Sequence, residues 1–104
     1  MESEFTAQLK MEGDLPVLEL CGDINGFAEE TLNEAFDAAE AQGGTEIRID
    51  FGDVTYINST GIALIVGLLA RARKSRRAIV ATGLNEHYRE IFTITRLSDF
   101  MEIR

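Results

Sequence analysis

The sequence predicts a small α/β domain, a mixed sheet of four or five strands with about four helices, in a single unit spanning residues 1–104. Three observations carry this. Apolar and polar residues alternate over 5–11 and again over 46–51, the period of half-buried strands. Between these segments Ala28, Leu32, Ala35, Phe36 and Ala39 recur at helical spacing, with acidic residues on the other faces. A strand-like segment then runs through Asn58-Ser59-Thr60-Gly61 into the apolar stretch 62–70. Strands alternating with helices demand crossovers, and a parallel pairing across them is right-handed.

Taken in order, Phe5, Ala7, Leu9 and Met11 give the first strand, and Glu12-Gly13-Asp14 is a turn signal. Leu15–Cys21 returns as the second arm of a hairpin. Pro16 fits near its start, where a missing N–H is tolerated. Cys21 is the one cysteine, so no internal disulfide forms, and Leu18 and Leu20 beside it suggest a buried thiol. Gly22-Asp23-Ile24-Asn25-Gly26 breaks the pattern, with Asn25 placed to cap the helix that follows. Gln42-Gly43-Gly44 stops that helix. Ile47, Ile49 and Phe51 mark the third strand, and 52–57 lead to Ser59.

The next helix is expected over about 60–74. Its start is apolar all round, as the most buried helix of a domain would be. The stretch is too short for a bilayer, which needs roughly 20 apolar residues. Arg71, Arg73, Lys74, Arg76 and Arg77 form a cationic helix end that suits the dipole. A short strand, 78–81, and a turn at Thr82-Gly83 follow. Asn85 caps a short helix with Tyr88, Ile91 and Phe92 on one face. His87 lies beside that face, and no second His or Cys is placed to complete a metal site. The tail, 97–103, closes the core as a short helix or a strand.

Composition narrows the function. The 104 residues carry 45% hydrophobic side chains, enough for one core, and a net charge of −8. Residues 1–53 hold 14 acidic and 2 basic side chains, whereas 54–104 hold 4 and 8. The acidic excess disfavours a general nucleic-acid binder. No basic segment followed by an apolar stretch opens the chain, so a cytoplasmic protein is expected. Phosphate-cradle, dinucleotide and CxxC patterns are missing, and no cofactor or metal is expected. Ser59 as a catalytic nucleophile wants a base, no GxSxG elbow surrounds it, and His87 is the one histidine. These features describe a protein that works by being bound.

Asn58-Ser59-Thr60-Gly61 is where such binding would centre. The N-terminus of a helix has N–H groups without internal partners and the positive end of the dipole. A small anion is at home there. Ser59 either caps the helix, or caps it and is also modified by a phosphoryl group.

The chain resembles the STAS domains (sulfate transporter and anti-sigma-factor antagonist), above all the bacterial anti-sigma-factor antagonists. The most specific match is 49–65, similar to the family's strand, Asp-Ser-[Ser/Thr]-Gly and apolar helix. Leu20-Cys21-Gly22-Asp23-Ile24-Asn25 resembles its G-x-(Leu/Ile)-Asp loop, and Arg89–Leu97 its last helix and turn. The resemblance implies Ser59 as a phosphorylation site. Asn25, Asn58, Thr60 and Gly61 would contribute to a partner-binding surface. The partner would be an anti-sigma factor that is also a serine kinase of the histidine-kinase-like ATPase class, and a PP2C-type phosphatase would reverse the modification. A non-enzymatic protein, monomeric when free, is implied. The same fold also serves as an accessory subunit of lipid-transport ABC systems, as a stress scaffold, and in partner switching onto targets other than sigma. Asn58 and Asn25 stand where the family usually has Asp, and Arg96 where its last turn often has Gly.

Overall fold

The computed structural model describes residues 4–104. Among these residues five strands and three α-helices follow in the order β1 (Thr6–Glu12), β2 (Leu15–Ile24), α1 (Glu29–Glu40), β3 (Glu46–Ile57), α2 (Ser59–Lys74), β4 (Ala78–Thr82), α3 (Glu86–Ile94) and β5 (Glu102–Ile103). Single 3-10 turns at Gly26–Ala28 and Leu97–Asp99 complete it, so the α-helices number three rather than about four. The tail supplies one of each expected form, a 3-10 turn and then a two-residue strand. The sheet is mixed, in the order β1-β2-β3-β4-β5, with β1 antiparallel to β2 and the other neighbours parallel.

Strand alternation sorts the two faces of the sheet. Leu18, Leu20 and Ile24 of β2, Ile47, Ile49 and Phe51 of β3, and Ile79 and Ala81 of β4 point to one side. There they form one core with Leu32 and Phe36 of α1, Ile65 and Leu68 of α2, and Phe92 of α3. Phe51 meets Phe92 edge to face, with ring centroids 5.9 Å apart. The other face carries charges: Lys10 pairs with Glu19 at 3.1 Å, and Arg48 lies 3.6 Å from Glu12 and 3.7 Å from Glu46.

Two strands run further than the sequence pattern suggests. β2 continues through Gly22-Asp23-Ile24, absorbing that segment with register shifts at Glu19/Cys21 and Gly22/Asp23. β3 continues to Ile57 beside it, so both central strands end next to Ser59. Cys21 is exposed, not buried. In a strand the same-face neighbours are two residues away, and these are Glu19 and Asp23, not Leu18 and Leu20. Nor is α2 buried all round. Gly61, Ile65, Leu68, Leu69 and Ala72 face the core, while Ala63, Val66, Gly67 and Ala70 are exposed. Small apolar residues made the sequence look more enclosed than the helix is.

The basic end of α2 does more than complement a dipole. Arg71 bonds to Asp37 and, at 2.7 Å, to Glu40, and its guanidinium lies 4.9 Å from the centroid of the Phe36 ring. Arg77 reaches the Glu40 carboxylate at 3.4 Å and the Glu40 carbonyl at 3.1 Å. Desolvation opposes the Arg71 charge, but Asp37 and Glu40 outweigh it and raise its pKa above the ordinary arginine value. The acidic half of the chain thus meets the basic half along α1 and α2.

Arg96 adopts φ 66°, the left-handed region that glycine occupies without a steric penalty. Replacing Arg96 by Gly is expected to stabilise the fold by about 0.5–1 kcal/mol, set by the left-handed penalty less the greater entropy of Gly in the unfolded chain. Urea denaturation of R96G against the parent checks this; a lower midpoint contradicts it.

Candidate functional site

β2 and β3 deliver the site. Ile24 pairs with Ile57 at their ends, and the Asn58 N–H donates to the Ile24 carbonyl at 3.2 Å. Asn58 then adopts an extended conformation and caps α2, its Oδ1 accepting from the Gly61 N–H at 2.8 Å. The cap is therefore Asn58, and Ser59 is the first residue inside the helix. Both residue types are good caps, so the sequence alone placed this role one residue late.

This division of labour frees Ser59. Its side chain is exposed, and its Oγ makes no hydrogen bond within the described residues. The Gly61 N–H goes to Asn58 Oδ1 and the Ile62 N–H to the Asn58 carbonyl at 2.9 Å. Among the described residues the N–H groups of Ser59 and Thr60 have no protein acceptor, at the positive end of a 16-residue helix. An oxyanion attached to Ser59 has donors and a favourable field within reach. Among the described residues no histidine or carboxylate hydrogen-bonds Ser59 Oγ, the contact that would activate it as a nucleophile.

The structure brings Asn25, Asn58, Ser59 and Thr60 to one end of the sheet. Asn25 is half-buried, and its Oδ1 accepts from the Phe27 N–H at 2.9 Å to hold the Gly26–Ala28 turn. A Cβ on Gly26 would sit 3.7 Å from Thr60 Cγ2, so this turn packs beside the first turn of α2. Thr60 is exposed next to Ser59. Gly61 is different. It is buried, and a Cβ there would run into the backbone carbonyl of Ile24. Its place is beneath the surface, where its missing side chain lets α2 begin close against β2.

One supporting residue has no signature in the sequence. The buried Tyr88 hydroxyl accepts the Ile57 N–H at 2.9 Å, bracing the strand end one residue before the cap. Helical spacing marked Tyr88 as inward-facing, but no sequence signal names an acceptor 31 residues away. Tyr88→Phe leaves that buried N–H unpaired, and a loss of about 1–3 kcal/mol is expected. Thermal unfolding of Y88F checks it; an unchanged midpoint contradicts it. His87 is exposed and stacks edge-on against Tyr88 with centroids 4.9 Å apart. Among the described residues no three His, Cys, Asp or Glu side chains gather to hold a metal ion, and no helix is long and apolar enough to cross a membrane.

Fold and site together define a small α/β domain whose parallel strands β2 and β3 end at the mouth of a helix with one face in the core and one in solvent. The chain belongs to the STAS domain family, its residues 7–103 matching the family described as "Mlab, STAS domain". It is 32% identical over 85 residues to an anti-sigma-B factor antagonist of Listeria monocytogenes, covering 82% of this chain and 75% of the relative. Two solved structures share the fold. An anti-sigma factor antagonist from Mycobacterium paratuberculosis superposes with a TM-score of 0.82 at 16% identity, over 99% of this chain and 89% of that one. The Bacillus cell fate determinant SpoIIAA in its phosphorylated form gives 0.71 at 22% identity, over 95% and 91%.

Proposed function

We propose that this protein is an anti-sigma-factor antagonist, a cytoplasmic, non-enzymatic regulator controlled by phosphorylation of Ser59. Its unmodified form binds an anti-sigma factor and thereby frees a sigma factor. That anti-sigma factor is also a serine kinase of the histidine-kinase-like ATPase class. It transfers the γ-phosphoryl of ATP to Ser59 Oγ, releasing ADP and a proton, and the antagonist dissociates. A PP2C-type phosphatase removes the phosphate and resets the switch. Asn25, Asn58 and Thr60 lie on the contact face around Ser59, and Gly61 sets the position of that face from below.

The observation that carries this is an uncommitted, exposed hydroxyl at a helix mouth whose capping is done by the residue before it. A phosphoryl group adds about −1.5 to −2 charges and three acceptor oxygens. The Ser59 and Thr60 N–H groups would receive it in the free protein, so the helix stays formed while the face changes sign. In the complex the same dianion lies in a contact shaped for a neutral hydroxyl, which is the source of release. The acidic first half would steer encounter with a basic partner surface.

The test is incubation with ATP and a purified kinase of this class from the same genome, followed by phosphosite mapping by mass spectrometry. Modification at Ser59, abolished in Ser59→Ala, is expected. Absence of modification, or a phosphate on another residue that persists in S59A, contradicts the proposal.

A further inference from the structure

We propose that Phe27 is the apolar anchor by which the Ser59 face grips its protein partner, and that the partner presents an apolar pocket to receive it. This rests on the antagonist reading and names the contact that reading uses. Phe27 is 85% exposed, more than Ile94 at 70% or Phe100 at 52%. A phenylalanine held in water forgoes the burial that ordinarily drives such a side chain inward.

The exposure is built in. The Phe27 N–H is bound to Asn25 Oδ1 at 2.9 Å, the Ala28 N–H to the Asn25 carbonyl at 3.0 Å, and Ala28 is buried in the core. The backbone of Phe27 is pinned on both sides, so the ring is displayed on a rigid turn. With the backbone already ordered, binding has only the two side-chain torsions of the ring left to fix, which keeps the cost of using it as an aromatic interface contact small.

Its location ties it to the switch. The Gly26–Ala28 turn packs beside Thr60, the neighbour of Ser59. Tyr56, 56% exposed, flanks the same strand end opposite Asp23. Phe100, the other exposed phenylalanine, already lies under Arg73 at 5.5 Å towards the far end of α2. The occupant follows from the charges around Phe27. Segments 23–30 and 53–63 contain four carboxylates and no lysine or arginine. The partner is therefore a protein with an apolar pocket for the ring and cationic groups at the edge facing Glu29 and Glu30, rather than an acidic surface or an anionic lipid.

The experiment measures Kd for the unmodified chain, Phe27→Ala and Ile94→Ala on the purified kinase that passes the phosphosite test above. F27A is expected to bind about 30-fold more weakly or worse, and I94A within about 3-fold of the parent, by the hot-spot scale. Phe27 touches no core, so equal thermal midpoints show that F27A is folded. The F27A loss should persist at high salt, because an apolar contact is not screened. Equal binding of F27A and the parent overturns this inference and leaves the antagonist reading intact. Failure of the parent itself to bind overturns both.

Discussion

Ser59→Asp is expected to bind the anti-sigma kinase at least about 30-fold more weakly than the parent while folding equally well, since burying an unpaired charge costs several kcal/mol and each 1.4 kcal/mol is tenfold. The two halves of that expectation come from the same geometry. In the free protein, position 59 is exposed at the first turn of a 16-residue helix, with the cap supplied by Asn58. A carboxylate there faces the positive end of the dipole and is neutral or slightly favourable for stability. In the proposed complex it would have to shed its water against a surface that accommodates a neutral hydroxyl. Ser59→Ala separates charge from shape: it is expected to bind about as well as the parent, within ~3-fold, because it brings no charge into the contact. Calorimetry on the three proteins, with thermal midpoints alongside, checks this. Weak binding by S59A as well as S59D would show that the hydroxyl itself is the contact.

The second large effect concerns two glycines in one helix. A Cβ at Gly61 would strike the Ile24 backbone carbonyl and crowd Ile57 Cγ2 at 3.0 Å, whereas a Cβ at Gly67 meets nothing within 4 Å. Gly61→Ala therefore forces α2 away from β2, and overpacking against backbone outweighs the helix propensity of alanine. A loss of about 2–3 kcal/mol is expected, a fall in Tm on the order of 10 °C for a chain of this size. Gly67→Ala, exposed and mid-helix, is expected to gain about 0.5–1 kcal/mol. Urea unfolding of both variants gives the signs directly. A stabilised Gly61→Ala would mean that the start of α2 does not depend on its close approach to β2.

Much of this architecture is legible in the sequence because it rests on period. The alternation of Ile47, Ile49 and Phe51, the helical spacing from Ala28 to Ala39, and the Asn85 cap, which accepts the Tyr88 N–H at 2.8 Å, are local signals with local causes. Errors arise where a sequence neighbour is taken for a spatial one. Cys21 adjoins Leu20 in sequence and looks buried with it, but strand geometry turns it the other way. The exposed side of α2 was hidden by its alanines, valine and glycine, which are apolar enough to look buried and small enough to stand in water. The site divides in the same manner. Asn58, Ser59 and Asn25 announce themselves as cap residues, but the division of capping between Asn58 and Ser59 is a matter of one residue. The Tyr88 brace, the burial of Gly61 against Ile24 and the display of Phe27 are created by the fold, and no local pattern encodes them.

The most direct test of the switch uses the enzymatically phosphorylated chain itself. Its Kd for the kinase and its Tm should be measured beside those of the unmodified chain. The structure predicts an affinity loss of about 100-fold or more with a Tm that is unchanged or higher, because the phosphate sits on a helix mouth able to receive it. Undiminished binding by the phosphorylated protein, or a loss of binding that tracks a collapse in Tm, would contradict the account.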